Sequence, residues 1–235
     1  MCGRFAITLP PEAVRGFFAY SEQPNFPPRY NIAPTQPIPV VTGAPHSAGR
    51  ERRFVLMRWG FLPGFVKNPK EFPLLINARA ETLLEKPSFR AAVKRRRCLI
   101  VADGFYEWRR EGKTKSPFLI RRTNREPMGF AGLYETWSDA SGGEIDTACI
   151  ITVAANRLMT HVHERMPAIL PRPQFSLWLD NDGVEAAAAH DLLRPAAEDA
   201  LELIPIGDSV NRYANDNADV QTPIGAPLRG GEAQV

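Results

Sequence analysis

Cys2 is the residue whose position in this sequence offers the most distinctive chemistry. It follows Met1 and precedes Gly3, and an initiator methionine is generally removed when the next residue is small. Removal leaves an α-amine with a reference pKa of about 7.7–8.0 and a thiol with one of about 8.5 on the same residue. The amine can form an imine with an aldehyde, and the thiol can then close a five-membered thiazolidine ring. The sequence therefore predicts an aldehyde-trapping N-terminal cysteine, with a small buried core cysteine as the structural alternative.

Four further segments place polar side chains beside turns and aromatic residues in patterns that core packing does not require. They are 29–36, 77–82, 103–108 and 160–167. Asn77 follows an apolar run, either as a functional amide or as the cap of the next turn. Glu107 lies between aromatic residues, where burial would raise its pKa toward proton transfer, unless it is an exposed strand residue. His163 lies near an arginine and a proline, and its alternative is a structural histidine.

The cysteines and histidines do not indicate a metal site or a disulfide framework. Cys2, Cys98 and Cys149 have no C-x-x-C spacing, which favours a reducing, intracellular setting. We expect Cys98 and Cys149 to be inert core residues. His161 and His163 have no third ligand in the sequence pattern, so we expect neither a metal nor another cofactor.

The charge balance permits nucleic-acid binding without requiring it. The chain has 29 Lys and Arg against 26 Asp and Glu, a net charge of +3, whereas dedicated DNA-binding proteins usually carry a concentrated basic stripe. The basic run 94–97 is typical of a solvated helix end, with a phosphate contact as the alternative. No apolar run approaches the roughly 20 residues needed to span a bilayer, and no leader is recognised. We therefore expect a cytoplasmic protein, nucleoid-associated if the source is bacterial, with no membrane partner.

The elements that must position these residues are short. The 22 prolines break long helices and favour strands joined by irregular loops. Strands are predicted at 39–41, 54–59, 98–102, 117–121, 129–133 and 149–153. Helices are predicted at 11–18, 88–96, 174–179 and 184–193. A turn at 111–113 should form a hairpin, and 21–39 should be a loop.

We expect one compact α+β domain over 1–225, with a mainly antiparallel core. The segment 226–235 is rich in glycine and poor in apolar residues, and is expected to be a flexible C-terminal tail.

Seven motifs occur in a fixed order along the chain. They are MCGRF at 1–5, RYNIAP at 29–34, WGFLP at 59–63, NARAET at 77–82, ADGFYEW at 102–108, FAGL at 130–133 and HERMP at 163–167. In this order they resemble the SRAP family of abasic-site processing proteins, and the resemblance extends to about residue 217. It implies the SRAP fold, in which a curled sheet forms a barrel-like core and a positively charged groove leads to the N-terminal cysteine.

The resemblance also implies a reaction. Cys2, once Met1 is removed, would capture the ring-opened sugar aldehyde of an abasic site in single-stranded DNA as a thiazolidine DNA–protein crosslink. Asn77 would hold the bound sugar, and Glu107 would orient the Cys2 amine and shuttle its proton. His163 would act as acid and base in ring opening and in release of the crosslink. An accompanying AP lyase activity and a peptidase-type removal of Met1 are implied as well.

The DNA contacts that the resemblance implies come from Arg4, Pro34, Phe65, Arg79, Trp108, Thr152 and Arg165. The arginines would bind phosphates and give salt-sensitive, sequence-independent affinity. Pro34 and Trp108 would pack or stack on bases near the lesion, and Thr152 would add a backbone contact. Phe65 stands where the family has a tryptophan, and the SVNRY segment at 209–213 departs from the family's Arg-Val-Asn pattern. We expect a monomer.

Two other functions are compatible with the sequence. Class II glutamine amidotransferases also begin Met-Cys-Gly and use the thiol to attack a carboxamide, with the α-amine as base. The chain has no recognisable synthetase domain, however, and Glu107 and His163 have no clear place in that mechanism. A noncatalytic single-strand-binding protein would use the same groove, and Cys2→Ala would leave its DNA binding unchanged.

Overall fold

The computed structural model describes residues 2–231, which form fourteen strands and four α-helices joined by loops and 3-10 turns. The strands are β1 (Arg4–Ile7), β2 (Arg29–Ile32), β3 (Pro37–Gly43), β4 (Arg52–Trp59), β5 (Asn77–Arg79), β6 (Arg97–Ala102), β7 (Gly104–Glu111), β8 (Thr114–Arg122), β9 (Met128–Ser138), β10 (Glu144–Ala154), β11 (Arg165–Pro167), β12 (Ile169–Leu170), β13 (Leu201–Pro205) and β14 (Leu228–Arg229). The helices are α1 (Pro11–Phe18), α2 (Ala92–Arg95), α3 (Phe175–Leu179) and α4 (Ala186–His190). No helix in this range is long and apolar enough to cross a membrane.

Five strands close into a barrel. The path runs from β10 through β4, β3, β6 and β9 and returns to β10. Every pairing on this path is antiparallel except that of β10 with β4. Gly132 permits the closure, because a Cβ there would lie only 3.0 Å from the carbonyl oxygen of Cys149. The predicted α+β fold with a barrel-like, mainly antiparallel core is confirmed.

A second sheet carries the N-terminus against this barrel. Its strand order is β14, β13, β8, β7, β1 and β2, so β1 lies between β7 and β2. Phe5 of β1 packs edge-on against Trp59 of the barrel, with ring centroids 5.1 Å apart. Aromatic pairs of this geometry add to the free energy gained by burying the rings. Cys2 is therefore held immediately before a strand that is fixed on both edges and packed on the core.

The six predicted strands all lie within observed strands, and the 111–113 turn is confirmed between β7 and β8, with Gly112 at φ 60°. Helix 11–18 is also confirmed. The predicted loop 21–39 is wrong in part, because it contains β2 and the start of β3. The predicted helices 88–96 and 184–193 are reduced to four and five α-helical residues. Local propensity favoured longer helices than the fold contains.

The segment predicted as a flexible tail is attached to the second sheet over the part that the structure describes. Leu228–Arg229 forms β14, and Arg229 Nη2 lies 2.9 Å from Glu202 Oε2. The Glu202 side chain is almost completely buried and also accepts from Arg121 Nε at 2.9 Å. Because a buried carboxylate needs partners, Arg229 ties this segment to the sheet. Residues 232–235 of the predicted tail lie outside the described range.

The basic run 94–97 divides in two. Lys94 and Arg95 are exposed as predicted, but Arg97 is fully buried at the start of β6. Its guanidinium donates to main-chain carbonyls near the ends of α2 and α3, those of Val93 at 2.8 Å, Lys94 at 3.4 Å, Trp178 at 2.8 Å and Asp180 at 2.5 Å. It also donates to the carbonyl oxygen of Val184, just before α4, at 3.0 Å. The solvated interpretation is therefore wrong for Arg97, which satisfies carbonyls that the two helices leave unpaired.

Candidate active site

Cys2 is fully buried at the start of the second sheet. Its carbonyl oxygen accepts a hydrogen bond of 2.9 Å from Asn77 Nδ2, and its Sγ lies 3.8 Å from the Arg4 carbonyl oxygen. Burial, together with the charge of Glu107, raises the pKa of the Cys2 thiol well above its ordinary value. The Cys2 thiol therefore loses its proton less readily in this environment than its ordinary pKa would give. Met1 lies outside the described residues.

Asn77 is positioned by the short strand β5. This strand pairs in parallel with β10, with Asn77 opposite Ile150. Its side chain binds Cys2 and does not cap the following 3-10 helix, which has no side-chain capping hydrogen bond. Asn77 Oδ1 is buried and has no hydrogen-bond partner within residues 2–231. A buried orphan acceptor is costly, so this oxygen is suited to receive a hydroxyl or amine proton from a ligand.

Glu107 lies on β7 beside the N-terminal strand. Arg4 pairs with Tyr106, so the continued register places Gly3 opposite Glu107. The Glu107 side chain is only 3% exposed, which excludes the exposed-strand alternative. Desolvation raises the pKa of this carboxyl group, and the nearby His163 opposes the shift. A carboxyl group with such a pKa can exchange protons closer to neutrality than an exposed glutamate can.

The tautomer of His163 is set by a main-chain hydrogen bond. The backbone N–H of Arg165 donates to His163 Nδ1 at 2.9 Å, so the proton of the neutral ring is on Nε2. The His163 ring and Glu107 line one cavity of about 470 Å³, together with Trp108, Arg110, Lys115 and Asn211. His161 is exposed. Residues 2–231 contain no group of three or more His, Cys, Asp or Glu side chains placed to hold a metal ion.

The structure thus brings together all four side chains for which the sequence predicts catalytic roles. Asn77 contacts Cys2 directly, Glu107 contributes to the raised pKa of the Cys2 thiol, and His163 is near enough to oppose the rise in the pKa of Glu107. They come from the segment before β1, from β5, from β7 and from the loop before β11. The arrangement offers a nucleophilic residue, a buried proton carrier, an imidazole with a fixed donor and an unpaired amide oxygen.

Arg4 is largely occupied inside the protein. Its Nη1 donates at 2.9 Å both to Asn31 Oδ1 and to the carbonyl oxygen of Val210, and its Nη2 lies 3.3 Å from that of Asn211. These bonds hold the 3-10 helix Asp208–Asn211 against the second sheet. Arg4 was expected to contact phosphate, and in this arrangement it fixes the loop that borders the cavity.

Arg165 and Thr152 form one internal network. Arg165 Nη2 donates to the carbonyl oxygen of Thr152 at 2.7 Å and to Glu81 Oε2 at 2.9 Å. Thr152 is fully buried, while the Glu81 side chain is about half exposed. The hydrogen bond from Arg165 lowers the pKa of Glu81, so the ion pair persists well below neutral pH. A DNA phosphate that binds Arg165 must therefore compete with Glu81.

Glu81→Gln should strengthen binding of single-stranded DNA. Removing this carboxylate frees the Arg165 guanidinium, and an exposed ion pair is worth about 0.2–1 kcal/mol, which corresponds to a gain of up to about fivefold. Fluorescence anisotropy with an unmodified labelled oligonucleotide measures the change. Glu85→Gln is the matched control, because Glu85 is an exposed acid on the same segment and has no ion pair within residues 2–231. An equal gain in both variants would attribute the effect to net charge and contradict the prediction.

The remaining expected DNA contacts lie at the surface. Arg79 is exposed at the end of β5. Trp108 is half-buried, and its Nε1 donates to Asn211 Oδ1 at 2.7 Å. Pro34 is half-buried in the turn before Thr35, which has a φ of 74°. Phe65 is 60% exposed and packs edge-on against Phe72, with ring centroids 6.3 Å apart.

Asn31 and the C-terminal loop also border the site; the sequence singled out segments 29–36 and 209–213 but did not predict that they bind each other. The Asn31 amide is buried and donates to the carbonyl oxygens of Val210, Arg212 and Asn215 at 2.9–3.1 Å. The backbone N–H of Asn31 donates to Asp216 Oδ1 at 2.9 Å. The divergent segment 209–213 is thereby held at the cavity. The polar RYN triplet at 29–31 did not indicate this contact, because its partners lie about 180 positions later.

Comparisons with known proteins agree with this arrangement. A family model described as SOS response associated peptidase (SRAP) matches residues 1–213. The abasic site processing protein YoqW of Bacillus subtilis is 36% identical over 224 residues, covering 94% of this chain and 98% of that protein. The abasic site processing protein HMCES of Xenopus tropicalis is 30% identical over 265 residues, covering 95% of this chain and 78% of that protein.

Solved structures share the fold. A protein from Bacteroides thetaiotaomicron superimposes with a TM-score of 0.84 at 25% identity, covering 94% of this chain and 99% of that one. A protein from Bordetella bronchiseptica gives a TM-score of 0.75 at 26% identity, covering 88% of this chain and 100% of that one. With a family model matching most of its length and relatives at these identities over nearly all of it, the chain belongs to the SRAP family.

Proposed function

We propose that this protein captures abasic sites in single-stranded DNA as a covalent crosslink through Cys2, after removal of Met1. The observation that carries the proposal is the placement of Cys2. Asn77 holds its carbonyl at 2.9 Å, and Glu107 beside it lines a cavity of about 470 Å³. Relatives that bear the name abasic site processing protein support the choice of substrate.

The proposed reaction needs no reagent other than Cys2 and the abasic site. The Cys2 α-amine adds to the C1′ aldehyde of the opened sugar, and the adduct loses one water to give an imine. The sulfur then bonds to the same carbon, while the thiol proton is transferred to the nitrogen. A thiol whose pKa is raised by burial suits this order, because it has to lose its proton only at ring closure.

The neighbouring groups serve the proton transfers. Glu107 relays a proton between amine, water and thiol, as its raised pKa allows. The Nε2–H of His163 donates to a sugar oxygen during ring opening and takes the proton back during release of the crosslink. Asn77 Oδ1 accepts a hydrogen bond from the bound sugar. The imine is also the intermediate from which β-elimination would cleave the strand, so fast ring closure limits AP lyase activity.

The DNA strand follows the exposed side of the site. Arg79 binds the DNA backbone and the half-buried Trp108 stacks on a base, while Pro34 and Phe65 pack on flanking bases. Arg4 and Arg165 contribute positive potential while they hold the loop and β10 from within. We propose that a monomer suffices. Removal of Met1 by the same site stays a prediction, because Met1 lies outside the described residues.

Cys2→Ser should abolish the stable crosslink. An oxygen ring is far less stable than a thiazolidine, so we expect the heat-stable, gel-shifted product with abasic single-stranded DNA to fall by at least about 100-fold, or about 2.7 kcal/mol. Denaturing gels measure the product, and intact mass confirms loss of Met1. A form of the protein that retains Met1 should also give no crosslink, because it has no free cysteine amine.

Cys149→Ala is the matched control, because Cys149 is an equally buried cysteine on β10 and should leave the crosslink intact. A full-yield product from Cys2→Ser would contradict the thiazolidine. Robust ammonia release from glutamine would instead support an amidotransferase.

A further inference from the structure

Two like charges face each other at the tip of the β7–β8 hairpin. The register places Arg110 directly opposite Lys115, and both side chains are exposed. Like charges in this position destabilise an antiparallel pair. The neighbouring Glu111 does not relieve the repulsion, because it pairs with Arg109 at 3.0 Å. Within residues 2–231, neither Arg110 nor Lys115 forms an ion pair.

This cation pair lines the candidate catalytic cavity. Arg110 and Lys115 lie on the wall of the same cavity of about 470 Å³ as Glu107 and His163. A repulsive pair on the wall of a cavity is relieved when an anion lies between the two charges. The geometry therefore suits an anionic ligand that reaches the cavity together with the reacting group.

An aromatic side chain adjoins the pair on the same face. Trp108 pairs with Pro117, two positions along β7 from Arg110, so the side chains of Trp108 and Arg110 lie on one face of the sheet. The hydrogen bond of 2.7 Å from Trp108 Nε1 to Asn211 Oδ1 fixes the edge of the indole. Two cations beside a fixed aromatic ring match a nucleotide, whose phosphate is charged and whose base stacks.

We infer that Arg110 and Lys115 bind one phosphodiester of single-stranded DNA next to the abasic site, with the base of that nucleotide against Trp108. The choice of DNA as the ligand rests on the proposed function. The contact is to the backbone and is independent of sequence, so it serves to orient the strand across the cavity while Cys2 reacts.

The test is the double variant R110Q/K115Q with a labelled single-stranded oligonucleotide that contains no abasic site. Anisotropy should show binding about tenfold weaker at low salt, with the slope of log K against log salt reduced by about 0.7, as expected for one phosphate on a single strand. The charge-conserving variant R110K/K115R should retain most of the affinity. K94Q/R95Q is the matched control, because Lys94 and Arg95 form an exposed cation pair on α2 and should leave binding unchanged.

Several results would overturn the inference. They are unchanged binding in R110Q/K115Q, an equal loss in K94Q/R95Q, and equally tight wild-type binding to an acidic peptide of the same charge. A lower Tm of R110Q/K115Q would also count against it, because relief of the repulsion should leave Tm equal or higher. The oligonucleotide carries no aldehyde, so the result does not depend on Cys2 chemistry. If wild-type protein fails to crosslink abasic DNA while the binding results hold, the proposed reaction fails and the phosphate site stands.

Discussion

Glu107→Gln should slow crosslink formation by about 100-fold or more while raising the thermal stability of the protein. A positioned acid–base group typically contributes about 10²–10⁴ in rate, and glutamine keeps the shape but cannot carry a proton. The wild-type rate should rise with pH through the raised pKa of Glu107, as the carboxylate forms. The variant should lose this dependence. Single-turnover crosslinking between pH 5 and 8 measures both effects.

The same substitution separates proton transfer from thiol ionisation. The charge of Glu107 contributes to the raised pKa of the Cys2 thiol, so Glu107→Gln should lower that pKa. If thiol ionisation limited the rate, the variant would react faster than the wild type, which would contradict the proton-carrier role. Glu111→Gln is the control, because Glu111 is an exposed acid on the same strand and should react at the wild-type rate.

The stability gain follows from the direction of the pKa shift. Burial raises the pKa of Glu107, so the folded protein binds this proton more tightly than the unfolded chain does. Stability is therefore lost as pH rises from the ordinary glutamate pKa of about 4.3 through the raised value. The neutral amide of the Glu107→Gln variant avoids this loss, so Tm should increase at pH 8 and not at pH 4. Each 1 kcal/mol corresponds to about 2–4 °C in a chain of this size.

Arg97→Met should be the most destabilising of the substitutions considered. The guanidinium is fully buried and donates to main-chain carbonyls near the ends of α2 and α3. Methionine fills similar volume but leaves those oxygens buried without donors, so we expect a loss of about 3–5 kcal/mol. Arg97→Lys should lower the free energy of unfolding by less than Arg97→Met does, because an ammonium keeps three donors on a shorter stem. Urea unfolding measures the free energy.

Arg95→Met is the matched control for this prediction. Arg95 is exposed at the end of α2, so its replacement should change stability by less than about 0.5 kcal/mol. Equal midpoints and slopes for the two variants would contradict the structural role of Arg97. A loss of DNA affinity in Arg97→Met with unchanged stability would instead restore the phosphate-contact alternative for this run.

Much of the fold was readable from local sequence. The β6 segment RCLIVA is buried at every position, and its continuous apolar run predicts a core strand without knowledge of its neighbours. The turn at Gly112 is equally local. Strand β2 was missed because its first and third residues are polar and its strand form depends on pairing with β1. Pairing of that kind leaves no periodicity in a short segment.

The sequence alone determined the chemical identity of the site. The proposal that an amine and a thiol act together on one residue rests on Cys2 following Met1 in the sequence, whatever the fold. The motifs around Asn77, Glu107 and His163 identified the other candidate groups, and the structure places them together.

Only the tertiary structure decided the state of those groups. The pKa values of the Cys2 thiol and of the Glu107 carboxyl group are raised because the fold removes both groups from water. Arg4 bonds to a carbonyl 206 positions away, and Asn77 holds Cys2 across 75 positions. Ionisation and hydrogen bonding depend on solvent exclusion and on neighbours supplied by distant segments. A residue's type therefore sets what it can do, and the folded surroundings set whether it does so.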